Sequence, residues 1–198
     1  KSSVFALALG GALLLISIAL NFYVMLMEED RLETTRYLNQ YRLGSKALTY
    51  AVQAYAVTGN EDYYNDYMRE LNEDKSRDIA WAGLKKNNIK ADEWKEMEII
   101  AQLSDGLVPL EEKAMAAVAA GNREEAVAYV FGDQYKADIE TINSQTSVAI
   151  DRIQDRLNQK KNILAVVQVT VEILFLLSFI YVTRQIIIAI KFSREELL

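Results

Sequence analysis

The sequence predicts an all-α protein in which an antiparallel up-down-up-down four-helix bundle lies between two transmembrane helices. Three observations support this fold class. Two long apolar stretches stand near the ends of the chain, apolar residues recur at helical spacing between them, and Gly and Pro are rare, with eight and one in 198 residues. Because Gly and Pro interrupt helices, their scarcity favours long ones.

The second apolar stretch, Ile163 to Val182, has the length of about 20 residues that a helix needs to cross the hydrocarbon core of a bilayer. The first stretch, Val4 to Met27, contains no charged residue. It is longer than the apolar region of a typical signal peptide, so we expect a membrane anchor here. The alternative is a cleaved signal sequence.

Basic residues beside the two spans predict the orientation of the chain. Lys1 precedes the first span, and Arg184, Lys191 and Arg194 follow the second. Basic residues collect on the cytoplasmic side of membranes, so we expect both termini in the cytoplasm and the acidic middle segment outside it. A Cys-free protein of this layout indicates the inner (cytoplasmic) membrane of a bacterium.

The predicted domains are residues 1–27 as the first transmembrane helix, 28–162 as the extracytoplasmic bundle, 163–183 as the second transmembrane helix and 184–198 as the start of a cytoplasmic signalling helix. The sequence begins with Lys1 instead of Met, and we expect it to be part of a longer gene product.

Four helices are predicted in the middle segment, at about 28–57, 61–86, 91–119 and from 123 to the second span. The residues expected to face the core recur three and four positions apart. They are Leu38, Tyr41, Ser45, Leu48, Val52 and Tyr55 on the first helix, Trp94, Met97, Ala101, Val108, Met115 and Val118 on the third, and Tyr135, Ile139, Ile142, Thr146, Ala149 and Ile153 on the fourth.

Local signals predict the turns between these helices. In Gly59-Asn60 and Gly121-Asn122, the Gly suits the left-handed position after a helix and the Asn is a good N-cap for the next one. Glu125 is expected to complete a capping box with the second Asn. Pro109 is expected to kink the third helix because it lacks a backbone donor.

Antiparallel packing would bring a set of tyrosines together at the end of the bundle far from the membrane. Tyrosine rings offer flat apolar surface, a hydroxyl and a cage for a cation. The nearby Glu61, Asp62 and Asp66 favour a positively charged ligand. The alternative interpretation is core packing with a solvated acidic rim. The candidate ligand-binding residues are Tyr55, Tyr63, Tyr64, Tyr67, Tyr129 and Tyr135.

Glu172 is expected near the middle of the second span, where an unpaired carboxylate is costly. Ser17 and Asn21 lie at a matching depth in the first span. We therefore expect Glu172 to form a hydrogen bond with Ser17 or Asn21, or with its counterpart in a second copy of the chain. The alternative is a neutral Glu172 that is tolerated without a partner.

The composition disfavours hydrolase and metalloenzyme sites without forbidding an enzyme. The chain contains no His and no Cys, the commonest general base and the commonest transition-metal ligands. No strand-like alternation and no Gly-rich phosphate loop occurs in the sequence. We expect no catalytic, metal or cofactor site in these residues and no nucleic-acid partner, and any catalytic module would follow Leu198.

Two segments resemble sensor domains of bacterial transmembrane receptors. Residues 54–67, AYAVTGNEDYYNDY, are similar to the first-turn signature of the CHASE-type helical sensor domains. Residues 119–129, AAGNREEAVAY, are similar to the third-turn signature of the chemoreceptor four-helix-bundle sensor. The resemblance implies the sensor and transmembrane portion of a signal-transduction receptor, which passes a ligand or envelope signal to a diguanylate cyclase, histidine kinase or chemotaxis signalling module.

The expected partners are the lipid bilayer, a second copy of the chain, and a small-molecule or periplasmic protein ligand. A homodimer is predicted because Leu32, Leu43, Ile150 and Leu157 are assigned to the outer faces of the first and fourth helices. The alternative function is a structural membrane scaffold whose bundle binds another envelope protein.

Overall fold

The structure is a computed structural model that describes residues 2–87 and 89–195. Within that range the chain is helical and contains no strand, which confirms the all-α prediction. Three parts of the sequence predictions lie outside the described residues. They are the start of the first domain at Lys1, the expected helix end at Asn88, and the end of the last domain at 196–198. The helices are α1 Ser2–Thr58, α2 Glu61–Arg69, α3 Ser76–Lys86, α4 Ala91–Asp105, α5 Val108–Ala119, α6 Arg123–Phe131 and α7 Asp133–Glu195, and a π-helical turn, Glu70–Asp74, separates α2 from α3.

The chain forms two compact units, and α1 and α7 contribute to both. The membrane unit comprises the residues up to Glu29 and from Leu157 onward, and the helical unit is Asp30–Arg156. In the membrane unit, stretches of α1 and α7 are long and apolar enough to cross a bilayer, and their large apolar side chains are mostly exposed. By length and composition, these two helices indicate a membrane protein.

The core of the helical unit follows the predicted faces of α1 and α7. Ser45 and Ile139, which were predicted to face inward, are half-buried because they line a cavity. The three-and-four spacing therefore predicted the α1 face correctly and the α7 face in part. The predicted residues that are buried are Leu38, Tyr41, Leu48, Val52 and Tyr55 on α1 and Tyr135, Ile142, Thr146, Ala149 and Ile153 on α7.

The predicted core face of the third helix, which the structure divides into α4 and α5, is wrong by about one position. Of the predicted residues only Met97 is buried, whereas the half-buried ones are Trp94, Ala101, Val108, Met115 and Val118. The buried residues are Glu93, Met97, Ile100, Ser104, Leu107, Glu111, Ala114 and Ala117. Hydrophobic spacing fails here because two of them are glutamates, whose burial depends on side chains elsewhere that satisfy their oxygens.

Two of the four residues expected on outer faces are inside the molecule. Ile150 and Leu157 are 2% and 8% exposed, whereas Leu32 and Leu43 are 57% and 63% exposed. Ile150 and Leu157 are therefore core residues of α7. The apolar outer surface expected for a dimer is found on α1.

The predicted turn at Gly59 is confirmed. Gly59 adopts a φ of 67° and donates its N–H to the Tyr55 carbonyl over 2.8 Å. Asn60 then caps α2, since its Oδ1 accepts the N–H of Asp62 over 3.0 Å. This geometry satisfies backbone groups that are otherwise left free at helix ends.

The turn at Gly121 is also confirmed, with a φ of 81°, but the expected capping box is not complete. Asn122 Oδ1 accepts the N–H of Glu125, as expected. The Asn122 N–H, however, donates to the Ala117 carbonyl, as in a Schellman motif. Glu125 therefore accepts from the Asn122 side-chain amide, over 2.7 Å, instead of from its backbone.

The prediction of one continuous helix over residues 61–86 is wrong. α2 ends at Arg69, the π-helical turn follows, and Lys75 adopts a φ of 46° before α3 begins. The Glu70 carboxylate stabilises this break, because its two oxygens accept the N–H and the hydroxyl of Ser76 over 2.9 Å each. No Gly or Pro marks the break in the sequence.

The predicted kink of the third helix is a full break. α4 ends at Asp105 and α5 begins at Val108, with Pro109 in its first turn. The missing N–H of Pro109 is tolerated there because the first turn of a helix has no intrahelical acceptors for its donors. An extended Gly132 separates α6 from α7 in a similar way.

Candidate ligand-binding site

A cavity of about 360 Å³ lies inside the helical unit. Its walls come from α1, the α2–α3 junction, the α4–α5 junction and α7. The lining combines aliphatic side chains such as Leu48, Leu107 and Ile142 with polar and charged ones. This composition, and a volume at the lower end of the usual range for ligand pockets, fit a small-molecule site.

Glu111 on α5 joins two of the predicted tyrosines at this cavity. Tyr67 donates its hydroxyl hydrogen to Glu111 Oε2 over 2.7 Å, and Tyr135 donates to Oε1 over 2.8 Å. Each of the three residues is no more than 4% exposed. The two hydroxyl donors compensate in part for removing the carboxylate from water.

The same environment raises the pKa of Tyr67 and of Tyr135 above the ordinary tyrosine value. Burial is the largest cause, because the phenolate would lose its hydration. The negative charge of Glu111 and the hydrogen bond to it raise both pKa values further. Both hydroxyls therefore stay protonated as hydrogen-bond donors at neutral pH.

Arg77 is the partly buried cation of the cavity wall. Its guanidinium lies 5.5 Å from the centroid of the Tyr41 ring and 3.6 Å from the Asp105 carboxylate. Among the residues that the structure describes, the buried Arg77 Nε has no hydrogen-bond partner, and neither has the Tyr41 hydroxyl. Since buried polar atoms are normally paired, the Arg77 Nε–H is a spare donor at the edge of the site.

The α2–α3 junction gives the cavity an irregular wall. Glu70, Leu71 and Lys75 all line it, and they lie in or next to the π-helical turn. π-Helical turns and non-glycine residues with positive φ recur at functional sites, where the surrounding structure maintains the strain. This observation supports the cavity, in preference to the turns at Gly59 and Gly121, as the functional site.

The other four predicted tyrosines do not join the Glu111 cluster. Tyr55 packs on Tyr64 with ring centroids 5.5 Å apart, and Tyr63 packs edge-on against Tyr50 with centroids 6.0 Å apart. Tyr129 donates its hydroxyl hydrogen to a glutamate of its own helix. The predicted set is therefore divided into three parts: the Glu111 cluster, ring packing between the end of α1 and the start of α2, and Tyr129 on α6.

Sequence reasoning missed Glu111, the residue that organises the cavity. The sequence contained a sign that Glu111 is buried, because it lies four residues after Leu107 and three before Ala114, and both of these are buried. A charged residue at core spacing is normally read as a sign that the face is exposed. Only its partners, Tyr67 and Tyr135, show that Glu111 belongs inside.

The membrane unit brings the predicted polar side chains together through a residue that was not assigned to the site. Gln168 Nε2 donates to Asn21 Oδ1 over 2.7 Å and to Glu172 Oε1 over 3.2 Å. Asn21 in turn donates to the Ser17 carbonyl over 2.9 Å. Glu172 is thus connected to Asn21 by a Gln168 bridge.

The cavity lining includes the buried Glu111 carboxylate, the Tyr67 hydroxyl, the Arg77 guanidinium with its spare N–H, and aliphatic surface, while Tyr135 supports Glu111 from outside the lining. These groups can bind and orient a small polar ligand by hydrogen bonds and charge. Comparison of the chain with models of known protein families, with curated proteins and with solved structures finds no match.

Proposed function

We propose that the chain is the sensor and transmembrane portion of a bacterial signal-transduction receptor of the inner membrane. In this proposal the helical unit is an antiparallel up-down-up-down four-helix bundle outside the cytoplasm. Its four members are the helical-unit part of α1, α2 with α3, α4 with α5, and α6 with α7. The receptor passes its signal to a cytoplasmic output module of the diguanylate cyclase, histidine kinase or chemotaxis class.

Contacts between successive members support the bundle. The Tyr41 ring on α1 lies 5.9 Å from Trp81 on α3, and Trp81 lies 4.6 Å from Trp94 on α4. Arg152 on α7 forms an ion pair with Asp92 on α4 at 2.9 Å. Each member therefore contacts the next one along the chain, which is the neighbour relation of an up-down bundle.

The fourth member also contacts the first. Gln53 Nε2 on α1 donates to the Val130 carbonyl on α6 over 3.0 Å, and Arg123 donates to the Thr58 carbonyl over 3.2 Å. These bonds join the last pair of neighbours. They support the proposed arrangement, in which the four members form a closed ring around the core.

The main support for the sensor proposal is that α7 forms part of the cavity wall. Ile139, Ile142 and Asn143 line the cavity, and the same uninterrupted helix contains the second apolar span. A ligand that shifts the cavity wall would shift a helix that continues into the membrane. Displacements of about 1–2 Å along or across a helix are an established means of transmitting such signals.

Cross-linking within the membrane unit tests this proposal. The chain has no Cys, so a pair introduced at Gly10→Cys and Ser178→Cys is unique. A Cβ atom at Gly10 would lie 3.2 Å from Ser178 Oγ, which is close enough for disulfide formation after a small adjustment. The rate of cross-linking in membranes therefore reports the relative position of α1 and α7.

The informative variant is Glu111→Gln, compared with Glu98→Gln at an exposed position of α4 that does not line the cavity. If the cavity controls the spans, Glu111→Gln changes the cross-linking rate by about fivefold or more, the lower end of ordinary coupling between sites. The control leaves the rate unchanged. Equal rates in wild type and both variants would contradict a receptor that senses through this cavity.

The scaffold alternative has one observation in its favour. Leu43, Tyr50 and Val57 on α1 recur every seven residues and are 63%, 63% and 53% exposed. Such a stripe fits a helix–helix interface, with a second copy of the chain or with another envelope protein. A scaffold would need this stripe and would be indifferent to Glu111, so the cross-linking experiment separates the two functions.

A further inference from the structure

Charges on the cavity wall are mostly compensated or exposed to solvent. Arg77 faces Asp105, and both oxygens of Glu70 accept hydrogen bonds from Ser76. Lys46, Lys75 and Asp78 are exposed residues. Glu111 differs from all of these, because it is the charged lining residue that is buried.

Within the described part of the chain, Glu111 forms hydrogen bonds with tyrosine hydroxyls and has no Lys or Arg partner. A buried carboxylate is costly unless a cation and a full set of donors compensate it. An ionised carboxylate offers about four acceptor positions, and the two hydroxyls occupy two of them. Glu111 can therefore accept further hydrogen bonds from a cationic group.

The field beside Glu111 is negative despite the presence of Arg77. Burial is the largest cause of the raised pKa of Tyr67, and the charges of Glu111 and Glu112 each raise that pKa more strongly than the charge of Arg77 lowers it. An anionic group at this position would meet the same repulsion that disfavours the phenolate. A cation is favoured there.

We propose that the cavity binds a small organic ammonium ion, whose N–H groups donate to the Glu111 carboxylate while its alkyl part packs on Leu48, Leu107 and Ile142. This inference rests on the proposed sensor function, because it names the ligand class of the same site. The cavity of about 360 Å³ suits a ligand of a few heavy atoms in preference to a peptide. The requirement for N–H donors favours primary and secondary ammonium ions over quaternary ones.

Titration calorimetry of the full chain in lipid nanodiscs tests the proposal with three probes of similar size. They are n-butylammonium, n-butanol and butyrate, which are a cation, a neutral molecule and an anion. We expect n-butylammonium to bind and the other two to bind at least about tenfold more weakly. Equal or tighter binding of butanol or butyrate overturns the proposal, as does the absence of n-butylammonium binding to the folded wild-type chain.

Two variants locate the bound probe. Glu111→Gln should weaken n-butylammonium binding by about tenfold or more, whereas Glu98→Gln, at an exposed position outside the cavity lining, should leave it unchanged. Ser45→Phe adds a ring at the cavity lining while it keeps the carboxylate, and it should also block binding. Fluorescence of Trp81 and Trp94 checks that each variant is folded. Full binding by folded Ser45→Phe, or by folded Glu111→Gln, overturns the proposal.

The binding experiment and the cross-linking experiment can give different answers, so the ammonium site and the sensor function are tested separately. If n-butylammonium binds through Glu111 but leaves the cross-linking rate of Gly10→Cys with Ser178→Cys unchanged, the ammonium site stands and the receptor proposal fails. If n-butylammonium does not bind, the ammonium proposal fails. The effect of Glu111→Gln on cross-linking then still tests the receptor.

Discussion

Arg156 on α7 pairs with Glu93 on α4, and the Glu93 side chain is almost fully buried. Arg156 Nη2 donates to Glu93 Oε2 over 2.8 Å, with the Glu93 and Arg156 side chains 2% and 20% exposed. Glu93 Oε2 also accepts the backbone N–H of Lys90 over 3.0 Å at the start of α4. One carboxylate thus caps α4 and attaches it to α7.

Loss of Arg156 should destabilise the helical unit strongly. Arg156→Met leaves the Glu93 carboxylate buried without its cation, a change that costs about 3–5 kcal/mol in other proteins. The double variant Arg156→Met, Glu93→Met should recover much of this loss, because no uncompensated charge remains. Unfolding is followed by the fluorescence of Trp81 and Trp94, whose rings lie 4.6 Å apart.

Arg152→Met is the matched control, one helical turn earlier on α7. Arg152 pairs with Asp92 and Glu96, but its side chain is 51% exposed. Solvent screens such a pair, so its removal should cost about 1 kcal/mol or less. Similar losses in Arg152→Met and Arg156→Met would show that the burial of Glu93 does not matter.

The sequence allowed prediction where Gly-Asn pairs marked a turn and where composition or apolar spacing marked a helix. Gly59-Asn60 and Gly121-Asn122 marked their turns because left-handed glycines and Asn caps depend on neighbouring residues alone. The two apolar spans and the core faces of α1 and α7 followed from composition and spacing in the same way.

Features that depend on distant partners were missed. Glu93 is buried because Arg156, 63 residues away, neutralises it, and Glu111 is buried because Tyr67, 44 residues away, donates to it. Hydropathy alone assigns both glutamates to the surface. The break at Lys75 was missed for a different reason: its partners are near in sequence, but the Glu70 side chain stabilises it and no Gly or Pro marks it.

The raised pKa values of Tyr67 and Tyr135 predict an alkaline loss of stability. The unfolded chain releases these protons near the ordinary pKa of 10.0, whereas the folded chain retains them to higher pH. Above about pH 10 the unfolded state binds fewer protons than the folded state, so the free energy of unfolding falls as pH rises. Below that pH these two groups contribute no slope.

Lysines also lose their protons in this pH range and can change the stability. The variants Tyr67→Phe and Tyr135→Phe separate the contribution of the two tyrosines from that of the lysines. Each removes a hydroxyl donor from buried Glu111 and should cost about 1–3 kcal/mol at pH 7. The stability difference between wild type and variant should then narrow as pH rises from 9 to 11. A stability difference between wild type and variant that stays constant from pH 9 to 11 would contradict the assigned role of the hydroxyls.

The Gln168 bridge should help to fix the register of the two spans. Gln168→Leu removes the donor that links Asn21 to Glu172, and hydrogen bonds between membrane helices contribute about 0.6 kcal/mol on average. We expect the cross-linking rate of Gly10→Cys with Ser178→Cys to fall by about threefold, and Glu172→Leu to have a smaller effect of the same sign.

Thr170→Val is the control for this experiment, because the Thr170 hydroxyl donates to the Val166 carbonyl of its own helix, over 2.8 Å. It removes a polar group from the same span without removing a bond between helices. An unchanged rate in Gln168→Leu and Glu172→Leu would mean that neither polar side chain positions the spans.

The sequence predicts a homodimer, and the exposed stripe on α1 is the face through which we expect the two copies to pair. Leu43 and Val57 are 63% and 53% exposed and lie two heptads apart, whereas Val148 on α7 is equally apolar and 63% exposed but belongs to no such repeat. A single Ala47→Cys in the full chain, oxidised in membranes, should give a disulfide-linked dimer. Leu43→Glu should abolish that dimer, because two copies would place like charges in one apolar seam.

The control variant Val148→Glu should leave the disulfide-linked dimer intact. If Val148→Glu also prevents dimerisation, the interface includes α7, and if neither variant does so, the α1 stripe binds something other than a second copy.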